Sequence, residues 1–275
     1  MAKQSKYQAR HPDADGQIAY RTDEHRRWAR LMARQQHPLS QYAAPQYLRA
    51  LEALDLPADQ IPQCREVSQK LRATTGWSVE PVPALIDFTT FFTMLSERRF
   101  PAASFIRSWK EMDYLEEPDI FHEILGHTPL LADADYAAFV HNYGKTGCRA
   151  TREERVWLAR LFWFTVEFGL LHTRSGLKAF GAGIVSSFSE LSYAIESPAV
   201  NRRPFDPIEI LRTPYRIDRL QTDYFVLDSL EQLYALADED LLALVHQAMR
   251  AGLRPSTVKY QPVSPEARQT VSHAS

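Results

Sequence analysis

Pro118-Asp119-Ile120-Phe121-His122-Glu123-Ile124-Leu125-Gly126-His127-Thr128-Pro129 places two imidazoles and a carboxylate on an apolar helical turn. In a continuous α-helix, residues five apart are separated by about 500° of rotation, which leaves ~140° between their side chains. His122 and His127 could not meet at one point from such a helix. Gly126 offers a way out, because glycine can take the left-handed conformation that ends a helix. Thr128-Pro129 would then keep the helix from resuming. The spacing therefore predicts a helix starting near Asp119, with His122 in its last turns, Gly126 as its stop and His127 just beyond.

About forty residues later, Glu167 interrupts the apolar run Leu161-Phe162-Trp163-Phe164-Thr165-Val166-Glu167-Phe168-Gly169-Leu170-Leu171. An ionised carboxylate in such surroundings needs a cation or several donors. Arg160 is two turns away, so a metal is the better partner. Two histidines and a carboxylate leave open positions on non-haem iron(II), and zinc takes the same ligand types. The ligands alone leave both metals open. A zinc peptidase would carry His-Glu-x-x-His, with its histidines four apart on one helical face. Here one more residue intervenes, so a zinc metallohydrolase using Glu123 as base is the remote alternative.

The rest of the chain sets bounds. Its 275 residues, 45% hydrophobic and 24% charged with net charge -2, suit a globular protein with a sizeable core. Near-neutral charge gives no reason to expect nucleic acid or a membrane surface as partner. Cys64 and Cys148 lack CxxC spacing and fit a reduced cytoplasmic protein. No apolar leader follows Met1, and the most hydrophobic window, 156–171, is too short and too charged to span a bilayer.

Helix signals dominate. Asp23–Gln35 reads as a charged helix with Trp28, Leu31 and Met32 on one side. Ile61, Cys64, Val67 and Leu71 recur at helical spacing up to a stop at Gly76. Asp87 is placed to cap a helix carrying Phe88, Phe91, Phe92 and Leu95. Capping boxes are expected at Thr151–Glu154, Ser187–Glu190 and, more loosely, Asp228–Glu231. The first opens a long helix, roughly Glu153 to His172. Strand-like runs are short: Ser78–Val82, Phe105–Arg107 and Tyr224–Leu227. Residues 1–20 and 261–275 read as extended or disordered ends. The expectation is a mainly α fold: one catalytic domain, residues 21–260, of packed helices with a few short strands.

Three segments are similar to the pterin-dependent aromatic amino acid hydroxylases, in the same order and at family-like separations. They are Glu117–His127, Phe162–Leu170 and Ala179-Phe180-Gly181-Ala182-Gly183-Ile184-Val185-Ser186-Ser187-Phe188-Ser189-Glu190-Leu191. The likeness runs from about residue 20 to 260 and is strongest to the bacterial, phenylalanine-hydroxylating branch. It implies the family's catalytic fold and Fe(II) held by His122, His127 and Glu167. It also implies a tetrahydropterin (tetrahydrobiopterin or a related bacterial pterin) as electron donor and O2 as co-substrate. The implied reaction turns L-phenylalanine into L-tyrosine; tryptophan or tyrosine hydroxylation is the alternative within the family. Arg107 resembles the clamp for the amino acid carboxylate, Asp119 its orienting partner, Trp163 the wall beside the substrate ring and Ser186 a hydroxyl near the metal. Phe91 and Glu123 resemble the family's pterin contacts. Leu115 stands where animal members carry threonine, and Ala84–Phe88 matches their pterin loop only loosely. The family's regulatory and tetramerising appendages have no counterpart here, so a monomer is expected.

Overall fold

The computed structural model describes residues 7–83, 85–113, 115 and 117–255. The expected C-terminal tail, 261–275, lies outside these residues, as do the first six residues and Ala84.

Helix α1 (Thr22–Tyr42) buries Trp28, Leu31 and Leu39, and the Glu24 carboxylate accepts the Arg21 amide ahead of its first turn at 2.7 Å. It runs about two turns past the expected end, through Pro38. Helices α2 (Pro45–Leu54) and α3 (Cys64–Thr74) follow, and Gly76, at φ +78°, turns the chain after α3 as expected. Strand β1 (Ser78–Val82), α4 (Phe88–Ser96) and β2 (Arg99–Ala103) form a unit in which β1 and β2 pair in parallel. Asp87 caps α4 as its chemistry predicts, accepting the Thr89 and Thr90 amides.

The expected strand at Phe105–Arg107 is not one; the pairing strand ends at Ala103. The Arg107 amide donates to the Asp119 side chain, and the Phe105 carbonyl accepts from Ile120 N, which pulls this backbone away from a ladder and toward the next helix.

That helix runs from Ile120 to Leu131 without a break, which corrects the expected stop at Gly126. Its middle, His122–His127, is a π-helix, and α-helical geometry returns at α5 (Thr128–Leu131) with Pro129 in the first turn, where its missing N–H is harmless. Helices α6 (Ala134–Arg149) and α7 (Arg152–Phe162) follow, α7 opening on the expected Thr151/Glu154 capping box. The predicted helix to His172 ends early: Trp163–Glu167 is a second π-helical turn, and Leu170–Thr173 is strand β3. A continuous apolar run carries no period that separates helix from strand.

Strands β3, β4 (Gly176–Ala179), β5 (Asn201–Pro204) and β6 (Asp223–Leu227) form a sheet in the order β4-β3-β6-β5, of which only β6 was expected. Between them lie α8 (Ala182–Val185), α9 (Phe188–Glu196) and α10 (Pro207–Arg212), and α11 (Glu231–Tyr234) and α12 (Leu241–Ala251) close the chain. The loose capping box at Asp228–Glu231 does not form, since Asp228 N is taken by the Gln232 side chain and Leu230 precedes the helix. One continuous core runs from Trp28 to Ala248, so the observed architecture is helical with two small sheets. Among the described residues no helix is long and apolar enough to cross a membrane.

Candidate metal centre and substrate pocket

The π geometry accounts for the histidine spacing. Its hydrogen bonds run from i to i+5 rather than i+4, so side chains five apart stack on one face. His122 Nε2 and His127 Nε2 lie 3.1 Å apart. Gly126 is needed for a different reason from the one its position suggests: a Cβ there would sit 2.9 Å from the Ala182 carbonyl oxygen, so the residue lets α8 press against the π turn. The second π turn delivers Glu167 to the same point. Its Oε1 is 3.1 Å from His127 Nε2 and its Oε2 is 3.6 Å from His122 Nε2. Gly181 permits this approach, because a Cβ there would lie 2.4 Å from the Glu167 carbonyl oxygen.

The three side chains bring ligand atoms to within 3.1–3.6 Å of one another, a donor set that would suit a single metal ion. Glu123 is a second carboxylate near the pair, and its ligand atom lies with those of both histidines inside 4.8 Å. It stands 3.9 Å from His127, farther than Glu167. Burial and the nearby Glu167 charge hold the Glu123 carboxyl well above its ordinary range, and the Ala103 amide donates to it. Glu167 behaves oppositely. Burial disfavours its charge, but His127 and His122 outweigh that and keep it below the usual carboxylate range. The nearer and ionised carboxylate is Glu167, which fits a cationic metal.

The protonation of His122 follows from its neighbours. Ser186 Oγ donates its only proton to Ala182 O at 2.7 Å, so the 2.9 Å contact to His122 Nδ1 requires the ring nitrogen to be the donor. Nε2 then carries the lone pair and faces the cluster. Burial lowers the ring's pKa to about 4, which keeps it neutral. His127 is flanked by the rings of Phe100 and Phe162, at 4.6 and 6.2 Å between centroids.

A pocket of about 300 Å³ opens onto this cluster, at the small end of the range for small-molecule sites. His122, Glu167 and Ser186 line one part of it, Trp163 and Phe168 another, and Arg107 a third. Leu85, Leu115 and Ile217 add apolar wall. Arg107 is held by a bidentate pair with the fully buried Asp119, Nε to Oδ2 at 2.8 Å and Nη2 to Oδ1 at 2.9 Å. Burial opposes both charges, but each partner offsets it for the other: the guanidinium pKa is raised and the carboxyl pKa lowered. Asp119 also accepts the His122 amide at 3.1 Å, so one carboxylate anchors both the arginine and the start of the π turn.

Not every predicted residue reaches the pocket. Asp119, Glu123, His127 and Phe91 are not in its lining, and Phe91 stands edge-on to Phe162 at 5.3 Å. Among the pocket residues not expected as site groups are Glu190, Ile217 and Gln221. Glu190 had been read as a capping residue, although its place one residue before Leu191 and four before Ala194, both buried, marked it as inward-facing.

The family model for biopterin-dependent aromatic amino acid hydroxylases matches residues 1–270. A Pseudomonas aeruginosa phenylalanine-4-hydroxylase is 51% identical over 251 residues, 91% of this chain and 95% of that relative. The apo structure of the cold-active phenylalanine hydroxylase of Colwellia psychrerythraea superposes with a TM-score of 0.89 at 48% identity, covering 91% of this chain and 97% of that one. The Chromobacterium violaceum phenylalanine hydroxylase with bound oxidised Fe(III) gives 0.84 at 39% identity, covering 92% and 94%. With three ligand-type side chains converging at its centre, this chain belongs to the biopterin-dependent aromatic amino acid hydroxylases.

Proposed function

We propose that this enzyme hydroxylates L-phenylalanine to L-tyrosine with O2, using Fe(II) and a tetrahydropterin. The observation that carries the reading is one pocket whose lining holds His122 and Glu167 of the two-histidine, one-carboxylate cluster together with the fixed Arg107 guanidinium. When bound, iron and tetrahydropterin supply the two electrons and the oxygen activation that the reaction needs.

His122, His127 and Glu167 are assigned to the iron, which their donor set suits with positions left open. Arg107 binds the amino acid carboxylate, a task for a planar guanidinium fork, and Asp119 orients it. Trp163 packs against the substrate ring and, with Phe168, excludes water from it. Ser186 fixes the tautomer of His122. Glu123 and Phe91 are assigned to the pterin, outside the lining of the substrate pocket; burial and the Glu167 charge push the Glu123 carboxyl above its ordinary range. We also assign catalysis to residues 21–260, acting as a cytoplasmic monomer.

The hydrolytic alternative is disfavoured by the position of Glu123, which is outside the pocket lining and so poorly placed to act as a base on a bound substrate. Amino acid-dependent oxygen uptake with added Fe(II) and tetrahydropterin tests the proposal. L-Phenylalanine should give L-tyrosine faster than L-tryptophan or L-tyrosine is hydroxylated. Natively folded, iron-loaded protein that makes no hydroxylated product would end the reading.

A further inference from the structure

Glu190 is 4% exposed, lines the pocket and has no part in the assignments above. Half of its expected capping box forms: Ser187 Oγ accepts the Glu190 amide at 3.2 Å. The carboxylate does not return to Ser187. Its Oε1 accepts instead from the Gln221 amide at 3.0 Å and from the Tyr224 hydroxyl. Gln221 passes the constraint on. Its Nε2 donates to the Arg216 and Arg219 carbonyls at 2.8 and 3.3 Å, and its Oε1 accepts the Trp163 indole N–H at 3.0 Å. Trp163 in turn lies nearly flat on Tyr215, 4.3 Å between centroids and 16° between planes.

We propose that Glu190 is a positioning residue for the substrate ring: acting through Gln221, it holds segment 215–221 and with it the plane of the Trp163 indole. The inference rests on the reading of Trp163 as the wall beside that ring. Without Glu190, the Gln221 amide and the Tyr224 hydroxyl would be buried donors with no acceptor, which structures relieve by moving. Both donors use one oxygen, so acceptance rather than charge is the function, and burial already pushes the Glu190 carboxyl up to about 7. An amide oxygen can take the same two bonds.

The test compares Glu190→Ala, Glu190→Gln, Gln221→Leu and Trp163→Ala with wild type, all iron-loaded. It reads the KM for L-phenylalanine against kcat, the tyrosine formed per pterin oxidised, and the Trp163 indole N–H resonance in 15N-tryptophan-labelled protein. Glu190→Ala and Gln221→Leu should each raise KM about fivefold to tenfold, the effect of one or two lost hydrogen bonds. Both should lower the tyrosine yield per pterin and shift the indole resonance. Glu190→Gln should recover most of the loss. Two results overturn the proposal: Glu190→Gln as impaired as Glu190→Ala, or KM and resonance unmoved in Glu190→Ala and Gln221→Leu while Trp163→Ala raises KM. Should Glu190→Ala not fold, Gln221→Leu cuts the same relay one step later and decides alone. If Trp163→Ala leaves KM unchanged, the ring-wall reading fails and takes this proposal with it.

Discussion

The floor of the pocket, where we assign the metal, and its outer wall are held by different means. At the floor, backbone sets the ligands: two π turns deliver His122, His127 and Glu167, and Gly126 and Gly181 let α8 and its flanking chain close against them. At the wall, side chains set the geometry: Glu190, Gln221 and Trp163 form a hydrogen-bonded relay across segment 215–221. A floor built from backbone has few alternatives, because shifting one ligand means unwinding a helix. A wall built from hydrogen bonds can be loosened one bond at a time. Damage to the floor should therefore abolish activity, and damage to the wall should grade it.

Glu167→Ala tests the floor most directly. It should reduce bound iron to under about a tenth of wild type, with three ligands cut to two, and hydroxylation should fall below detection. Circular dichroism should stay native, since the π turns are kept by packing rather than by this carboxylate. A variant that still held stoichiometric iron would shift the third ligand to Glu123. Asp119→Asn probes the junction, because Asp119 joins Arg107 to the first π turn. It leaves a buried guanidinium uncompensated, so urea unfolding should show a loss of about 3–5 kcal/mol, with a raised KM for L-phenylalanine. Stability within about 1 kcal/mol of wild type would mean that the pair does not anchor the floor.

The same contrast explains what could be read in the sequence. His122, His127 and Glu167, which the structure brings together, could be singled out because metal ligation demands particular residue types, and the Arg107–Asp119 pair because the family likeness marked it. Their conformation could not be read. The five-residue spacing was read as a helix ending at Gly126, whereas a π-helix solves the same angular problem without breaking the chain. Gly126 was assigned a left-handed turn, but its role is close contact with Ala182, which depends on a partner 56 residues away. Glu190 was hidden for a related reason. Ser-x-x-Glu is a local motif, and the structure honours only its serine half because Gln221 and Tyr224 compete for the carboxylate. Local rules predicted the caps at Asp87 and Thr151; even there the distant His246 reaches Glu154, but it takes Oε1 and leaves Oε2 for the Thr151 amide. The rules failed where tertiary contacts made a better offer to the same atoms.

The smallest expected effect separates wall from floor by pH. Burial raises the Glu190 carboxyl from 4.5 to about 7, with Tyr224 and Gln221 pulling against it. Between those values the folded protein keeps a proton that the unfolded chain has released. Its contribution to stability is therefore complete below pH 4.5 and lost as pH rises through 7, by up to about 3 kcal/mol. His122 at the floor runs the other way. Its pKa is depressed to about 4, so in metal-free protein the unfolded chain binds the extra proton, and stability is lost as pH falls from 6.5 toward 4. A pH profile of wild type alone mixes the two slopes. Subtracting it from that of Glu190→Gln, in metal-free protein, cancels His122 and leaves only the wall. The variant has no carboxyl to ionise, so its stability relative to wild type should rise between pH 4.5 and pH 8 in urea unfolding. A difference that stays flat across that range would show that Glu190 ionises freely, and that the wall is more open to water than its packing implies.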